Sequence, residues 1–276
     1  MIKRFDLSER HACVLVGLSR DSYRHALVPG EQNVVLSAAI INIAQARRRF
    51  GYRRIHDMLR PAFACVNHKR VYRLYSEARL AVRKRKKVKY PANERVPLQI
   101  ARSVNEVWSM DFVSDSLVTG RRLKCLTVAD DFSHECVDIA TDYGISGQYV
   151  TRLLDQAALF RGYPRVVRTD NGPEFTSRAF MGWAQAHGIR HILIAPGKPM
   201  QNGYIESFNG KFRDECLNDH WFETLLQARA AIAVWRQDYN EVRPHSSCRR
   251  MPPAKFAALH RQNSADATQP ITETFL

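Results

Sequence analysis

The chain has 276 residues, 45% hydrophobic and 25% charged, which is enough for a sizeable core and, by length, about two domains. Its net charge of +15 is uneven: residues 1–100 hold 22 Lys/Arg against 7 Asp/Glu, whereas residues 101–276 hold 20 of each. No apolar run approaches the roughly 18 residues of a spanning helix, and the start MIKRFDLSERH lacks a signal peptide's apolar stretch, so a cytoplasmic protein is expected.

In chain order, SERHACVLVGLSRDSYRH predicts a helix over 8–16 capped by Ser8, a turn at Gly17 and a short second helix, together an N-terminal hairpin over 1–30. Residues 36–82 predict a small helix-turn-helix-like basic domain. Leu36, Ile40 and Ile43 mark a helix ending in Arg47, Arg48 and Arg49, and Gly51 breaks it before YRRIHDMLR. Asn67 then caps HKRVYRLYSEARL, whose Val71, Leu74, Tyr75 and Ala78 face inward while Lys69, Arg70 and Arg73 face outward. Such a helix can enter a DNA groove, and a three-helix bundle with a solvated charged face is the plainer alternative. RKRKKVK follows, giving Arg83, Lys84, Arg85, Lys86 and Lys87 in a basic linker over 83–100 suited to lie along DNA.

From residue 104 the pattern becomes β-β-β-α-β-α-β-α: strands in VNEVWSMDFVSD, RRLKCLTVADDF, SHECVDIATDY, PRVVRTDNG and RHILIAP, with helices between and after them. That order implies a mixed five-stranded α/β sheet with helices on both faces over 101–219. A C-terminal helix and tail occupy 220–276, with Leu225, Ala228, Ile232, Trp235 and Tyr239 at helical spacing. The six cysteines are scattered without a C-x-x-C pair, so they are expected to be reduced, and most of them small buried hydrophobes.

Within this frame three carboxylates stand out: Asp111 in WSMDF, Asp170 in RTDNGPEF, and Glu206, 36 positions further, in NGYIESFNGKFRDEC. Carboxylates gathered from distant segments suit hard divalent cations, and two ions so held can activate an attacking oxygen and stabilise a leaving one in phosphoryl displacement. Each has a plainer reading. Asp170 suits a turn in Asp-Asn-Gly, and Glu206 a solvated helix face. Asp111 resists one, because it interrupts an apolar central strand where an unpartnered carboxylate costs several kcal/mol. Arg213 lies two helical turns after Glu206 on the same face, placed to hold a DNA phosphate, with Lys211 as an alternative. Asn202 either caps this helix or contacts DNA, and capping is favoured.

WSMDFV, T-DNGPEF and NGYIESFNGKFRDECL, with VNHKRVYRLY before them and YNEVRPH after, resemble the DDE transposases of the bacterial insertion-sequence family numbered three. These are OrfB-type proteins with a retroviral-integrase-like core, and the resemblance runs over most of the chain. It implies a ribonuclease-H-like fold and Asp111, Asp170 and Glu206 as catalytic metal ligands. It further implies two Mg²⁺ ions (Mn²⁺ as substitute), with metal-dependent cleavage and strand transfer at insertion-sequence ends. The implied partners are double-stranded DNA, both terminal inverted repeats and target, and the upstream-frame OrfA protein, by frameshift fusion in some cases. Oligomers on DNA, in a nucleoid-associated cytoplasmic protein, complete the picture.

The chain lacks the His-His-Cys-Cys spacing of retroviral integrases near Cys65 and His68, so no structural zinc is expected. Asp130 and Asp131 are runner-up carboxylates that the family pattern treats as structural, and His134 stands where relatives often carry Arg. SSCRRMPPAKF departs from the usual Leu-Gly-aromatic-Thr pattern. Two rivals stand beside the transposase: a ribonuclease-H-like nuclease without strand transfer, and a DNA-binding repressor with a vestigial core.

Overall fold

The computed structural model describes residues 2–24, 30–82, 100–194 and 202–266. Short helices α1 (Ile2–Phe5), α2 (Glu9–Leu15) and α3 (Arg20–Arg24) lead the chain, and the Ser8 hydroxyl caps α2 by accepting from the His11 amide at 3.3 Å. Helices α4 (Glu31–Ala46), α5 (Tyr52–Leu59) and α6 (His68–Glu77) close around Leu36, Ile40, Phe50, Ile55, Val71 and Leu74. Asn67 caps α6, accepting from the Lys69 amide at 2.8 Å. Helix α4 begins five residues before the expected Leu36, because its first turns carry exposed Val34 and Val35 and no apolar period marks them.

The expected mixed sheet is present in ribonuclease-H-like order. Strands β1 (Val107–Ser116), β2 (Arg122–Asp130), β3 (Cys136–Asp142), β4 (Val166–Thr169) and β5 (Arg190–Leu193) lie in the order β3-β2-β1-β4-β5. The first three pair antiparallel, while β1, β4 and β5 pair parallel. Side chains alternate across a strand. Trp108 and Met110 of β1 therefore meet α7 (Gly147–Arg161) and α8 (Arg178–Ala186) in one core with Val150, Leu154 and Phe180. Val113 faces the other way, into a core with Ile205, Phe208 and Phe212 of α9 (Gly203–Glu215) and Ile232, Trp235 and Tyr239 of α10 (Leu225–Glu241). Helix α8 ends at Gly188, whose φ of +63° lets the Ile189 amide turn back to the Ala184 carbonyl at 2.8 Å.

A helix not foreseen, α11 (Pro253–Asp266), returns the tail to the sheet: Phe256 packs on Phe132 at 5.7 Å between ring centres, and Arg261 pairs with Glu135 at 2.9 Å. Just before it Arg249 and Arg250 sit at φ 52° and 65°, in the left-handed region that favours glycine. Left-handed backbone costs an L residue about 1–2 kcal/mol. Arg250 is held there by Asp57 of α5 at 3.0 Å. Together with Arg47–Asp238 and Arg54–Glu215 (3.6 Å), that contact joins the N-terminal helices to the core through ion pairs. Five of the six cysteines are buried; Cys65 is exposed. No helix among the described residues is long and apolar enough to cross a membrane.

Candidate active site

Parallel pairing of β1 with β4 matches Val107 to Val166, Trp108 to Val167 and Ser109 to Arg168. Carried on by two residues, that register sets Asp111 beside Asp170, where the ladder has ended and β4 has just given way to a turn. The Asp170 carboxylate accepts from the Gly172 amide at 3.0 Å, and the Asn171 side chain donates to the Ile194 carbonyl at 2.8 Å, which pins the turn to the end of β5. A Cβ at Gly172 would stand 3.0 Å from that Asp170 oxygen, so the glycine leaves the carboxylate its room.

Glu206 lies in the first turn of α9, exposed, beside the buried Ile205 that seats the helix. Three residues on, Asn209 bridges helix and sheet. Its Nδ2 donates to Asp111 Oδ2 at 2.9 Å, and its Oδ1 accepts from the Thr127 hydroxyl at 2.8 Å. The Phe112 amide donates to the other Asp111 oxygen at 2.7 Å. Burial raises the Asp111 pKa above the usual carboxylate range. Asp170 and Glu206 push it further up, while the Phe112 amide and Asn209 hold it down. Asp111 is thus within electrostatic reach of both other carboxylates, and none of the three has an ion-pair partner among the described residues. No three acidic, His or Cys side chains there converge closely enough to ligate one ion. As oxygen donors the three carboxylates suit hard divalent cations.

Asn209 and Thr127 escaped the sequence reading. The available signal was spacing alone, since i and i+3 share a helix face and place Asn209 beside Glu206. Arg213 is on that face as expected, its guanidinium donating to the Ser114 carbonyl at 2.7 Å. Lys211 is not: it points to the far side of α9, where its ammonium donates to the Ser207 carbonyl and hydroxyl at 3.1 and 2.9 Å. Asn202 stands at the N-cap position but makes no cap bond, because its φ/ψ of −108°/13° lie outside the extended region that aims a capping side chain. Its Oδ1 is buried without a hydrogen-bond partner among the described residues.

Asp130 and Asp131 are structural. Asp130 accepts from the amides of Asn105, Phe132 and Ser133 and from the Ser133 hydroxyl, all within 3.1 Å. Asp131 pairs with Arg168 at 2.7 Å. His134 is half enclosed, and burial followed by Lys211 lowers its pKa to about 4, so it is neutral near pH 7. On α6, Lys69 and Arg73 are exposed, whereas Arg70 donates to Asn33 at 2.8 Å. Residues Arg83, Lys84, Arg85, Lys86 and Lys87 lie outside the described residues.

Residues 31–88 match the family described as HTH-like domain, and residues 101–199 and 187–253 match two described as Integrase core domain. The chain is 64% identical over 271 residues to the "Insertion element IS476 uncharacterized 39.2 kDa protein" of Xanthomonas euvesicatoria, covering 98% of this chain and 78% of that protein. It is 58% identical over 271 residues to the "Insertion element IS407 uncharacterized 31.7 kDa protein" of Burkholderia multivorans, covering 98% of each. The chain belongs to the insertion-sequence family numbered three, of the DDE transposase type. Along this chain an HTH-like module is thus followed by an integrase core. The fold of this chain is similar to that of a chain in the structure of the simian T-cell lymphotropic virus intasome in complex with PP2A regulatory subunit B56 gamma. The TM-score is 0.54 at 16% identity, covering 78% of this chain and 72% of that one.

Proposed function

We propose that the chain is a transposase catalytic subunit that cleaves DNA strands at insertion-sequence ends and joins them to a target. The observation that supports this most is the β1–β4 register, which sets Asp111 beside Asp170 with Glu206 in electrostatic reach. In this reading Asp111, Asp170 and Glu206 are the catalytic metal ligands. Bound Mg²⁺, or Mn²⁺ in its place, would supply Lewis-acid polarisation of the phosphate and of the attacking hydroxyl. Asp111, Asp170 and Glu206 would hold the ions, and Asn209 fixes the plane of the Asp111 carboxylate. Arg213, on the Glu206 face, holds a neighbouring DNA phosphate. Lys69 and Arg73, with Arg70 and the linker residues 83–87, add sequence-independent grip. Functional units would follow residues 1–30, 36–82, 83–100, 101–219 and 220–276. The partners would be OrfA and further copies of the chain on DNA, in the cytoplasm.

Labelled end duplex with Mg²⁺ tests this directly. Joined products support the transposase. Nicked products alone support a nuclease, and binding unaffected by EDTA with no product supports a repressor.

Two further outcomes are expected. Asn209→Ala removes a bond that keeps Asp111 ionised, so the pH at which activity fails on the acid side moves upward. Activity at the optimum falls about tenfold, as for other partners of metal ligands; a pH–rate profile reads both. The double change Lys69→Ala with Arg73→Ala should weaken binding to any duplex alike. It should also reduce the log–log salt slope by about 2, read by fluorescence anisotropy across a salt series.

A further inference from the structure

On the side of α9 turned away from Glu206, a cavity of about 450 Å³ opens between the N-terminal helices and the core. Arg54 of α5, Ser207 and Lys211 of α9, and Arg243 with His245 after α10 line it. The Arg243 guanidinium grips Glu215 through two bonds of 2.7 and 2.5 Å, and its third nitrogen donates to His245 Nε2 at 3.0 Å. Since Arg has no acceptor, His245 receives that proton contact with a bare nitrogen and is neutral. Arg54 lies 3.6 Å from the same Glu215, so one carboxylate serves two guanidiniums. The Lys211 ammonium meets only Ser207 oxygens among the described residues. The other acids of the wall are committed elsewhere, Asp131 to Arg168 and Asp130 to backbone amides and Ser133.

Three cations therefore surround one carboxylate in a half-enclosed space, with Asp57, itself paired with Arg250, acting on Arg54 from further off. Burying unmatched charge is costly. Burial, with Arg243 next, pulls the Lys211 ammonium down to about 8, and an incoming anion would act in the opposite direction. We propose that this cavity binds a phosphate group, with Lys211, Arg54 and Arg243 as its cationic ligands and the Ser207 hydroxyl as a further donor. Arg54 comes from the N-terminal helices and Lys211 and Arg243 from the core, so the phosphate would fasten one to the other behind the helix that carries Glu206. The same chemistry suits a phosphodiester of bound DNA or a free phosphate. The inference does not depend on the role assigned to the three carboxylates.

Isothermal titration of the full chain with inorganic phosphate, at fixed ionic strength against chloride, tests it. Saturable one-to-one binding is expected, weakened at least about tenfold by Lys211→Met or Arg54→Met. Lys211→Met removes a buried charge without cutting the fold. Its melting temperature without phosphate should stay level or rise, and it should no longer climb on adding phosphate. Repeating the titration with saturating duplex separates the sources: loss of phosphate binding identifies the DNA backbone as the occupant, and its persistence identifies a free phosphate. Absence of saturable binding by the unaltered chain, or equal binding by both folded variants, overturns the proposal.

Discussion

Glu206→Gln and Asp170→Asn are each expected to cut Mg²⁺-dependent cleavage and joining by at least about a thousandfold, with folding and DNA affinity close to those of the unaltered chain. Both side chains are exposed, and Asn at 170 can still accept from the Gly172 amide. What disappears is charge, and with it the differential hold on the transition state. Asp111→Asn should be equally inactive but less innocent. Asp111 accepts from Phe112 through one oxygen and from Asn209 through the other, and an amide can keep only one of these. A stability cost of about 1 kcal/mol is therefore expected for this variant alone, offset in part by the lost repulsion from Asp170 and Glu206. Gel assays on labelled end duplex and thermal melts read the two properties separately. Normal joining by Glu206→Gln would remove it from the catalytic set.

The second large effect concerns stability. Arg168→Met should destabilise the fold by about 3–5 kcal/mol, because it strips the cation from a carboxylate buried beneath the sheet end. Burial already raises the Asp131 pKa to about 6, against the pull of Ser109 and Arg168. Without Arg168 the folded-state value rises further above the unfolded one. For an acid shifted upward, the penalty applies in full above the folded pKa and is relieved as pH falls through it. The loss in melting temperature, roughly 10 °C or more near pH 8, should therefore shrink toward pH 5. A deficit that is independent of pH would mean that Arg168 contributes packing and not charge.

Much of this architecture was legible because its signals are local. Trp108 and Met110 alternating with Ser109 and Asp111 mark a central strand, and Ser8, Asn67 and Gly188 end their helices through bonds within a few residues. The three carboxylates were legible through the strings that surround them. Other features depend on tertiary placement. Asn209 looks like a solvated helix residue until α9 docks and sets it against Asp111. Arg243 and Arg54 meet on Glu215 from segments that no spacing rule connects. Lys211 sits two residues from Arg213, and on a helix two residues are enough to put it on another face. Helix α11 has too short an apolar stripe, Phe256 and Ala257, to announce itself.

The β1–β4 register also has a consequence in time. Asp111 and Asp170 are 59 positions apart, and Glu206 is 95 beyond Asp111, with three strands and a helix between the first pair. Contacts of such separation, through a parallel pairing, are slow to form. Helices α4 to α6 close around local contacts and leave the ribosome before the sheet does. A growing chain would thus complete its HTH-like helices well before the three carboxylates could come together.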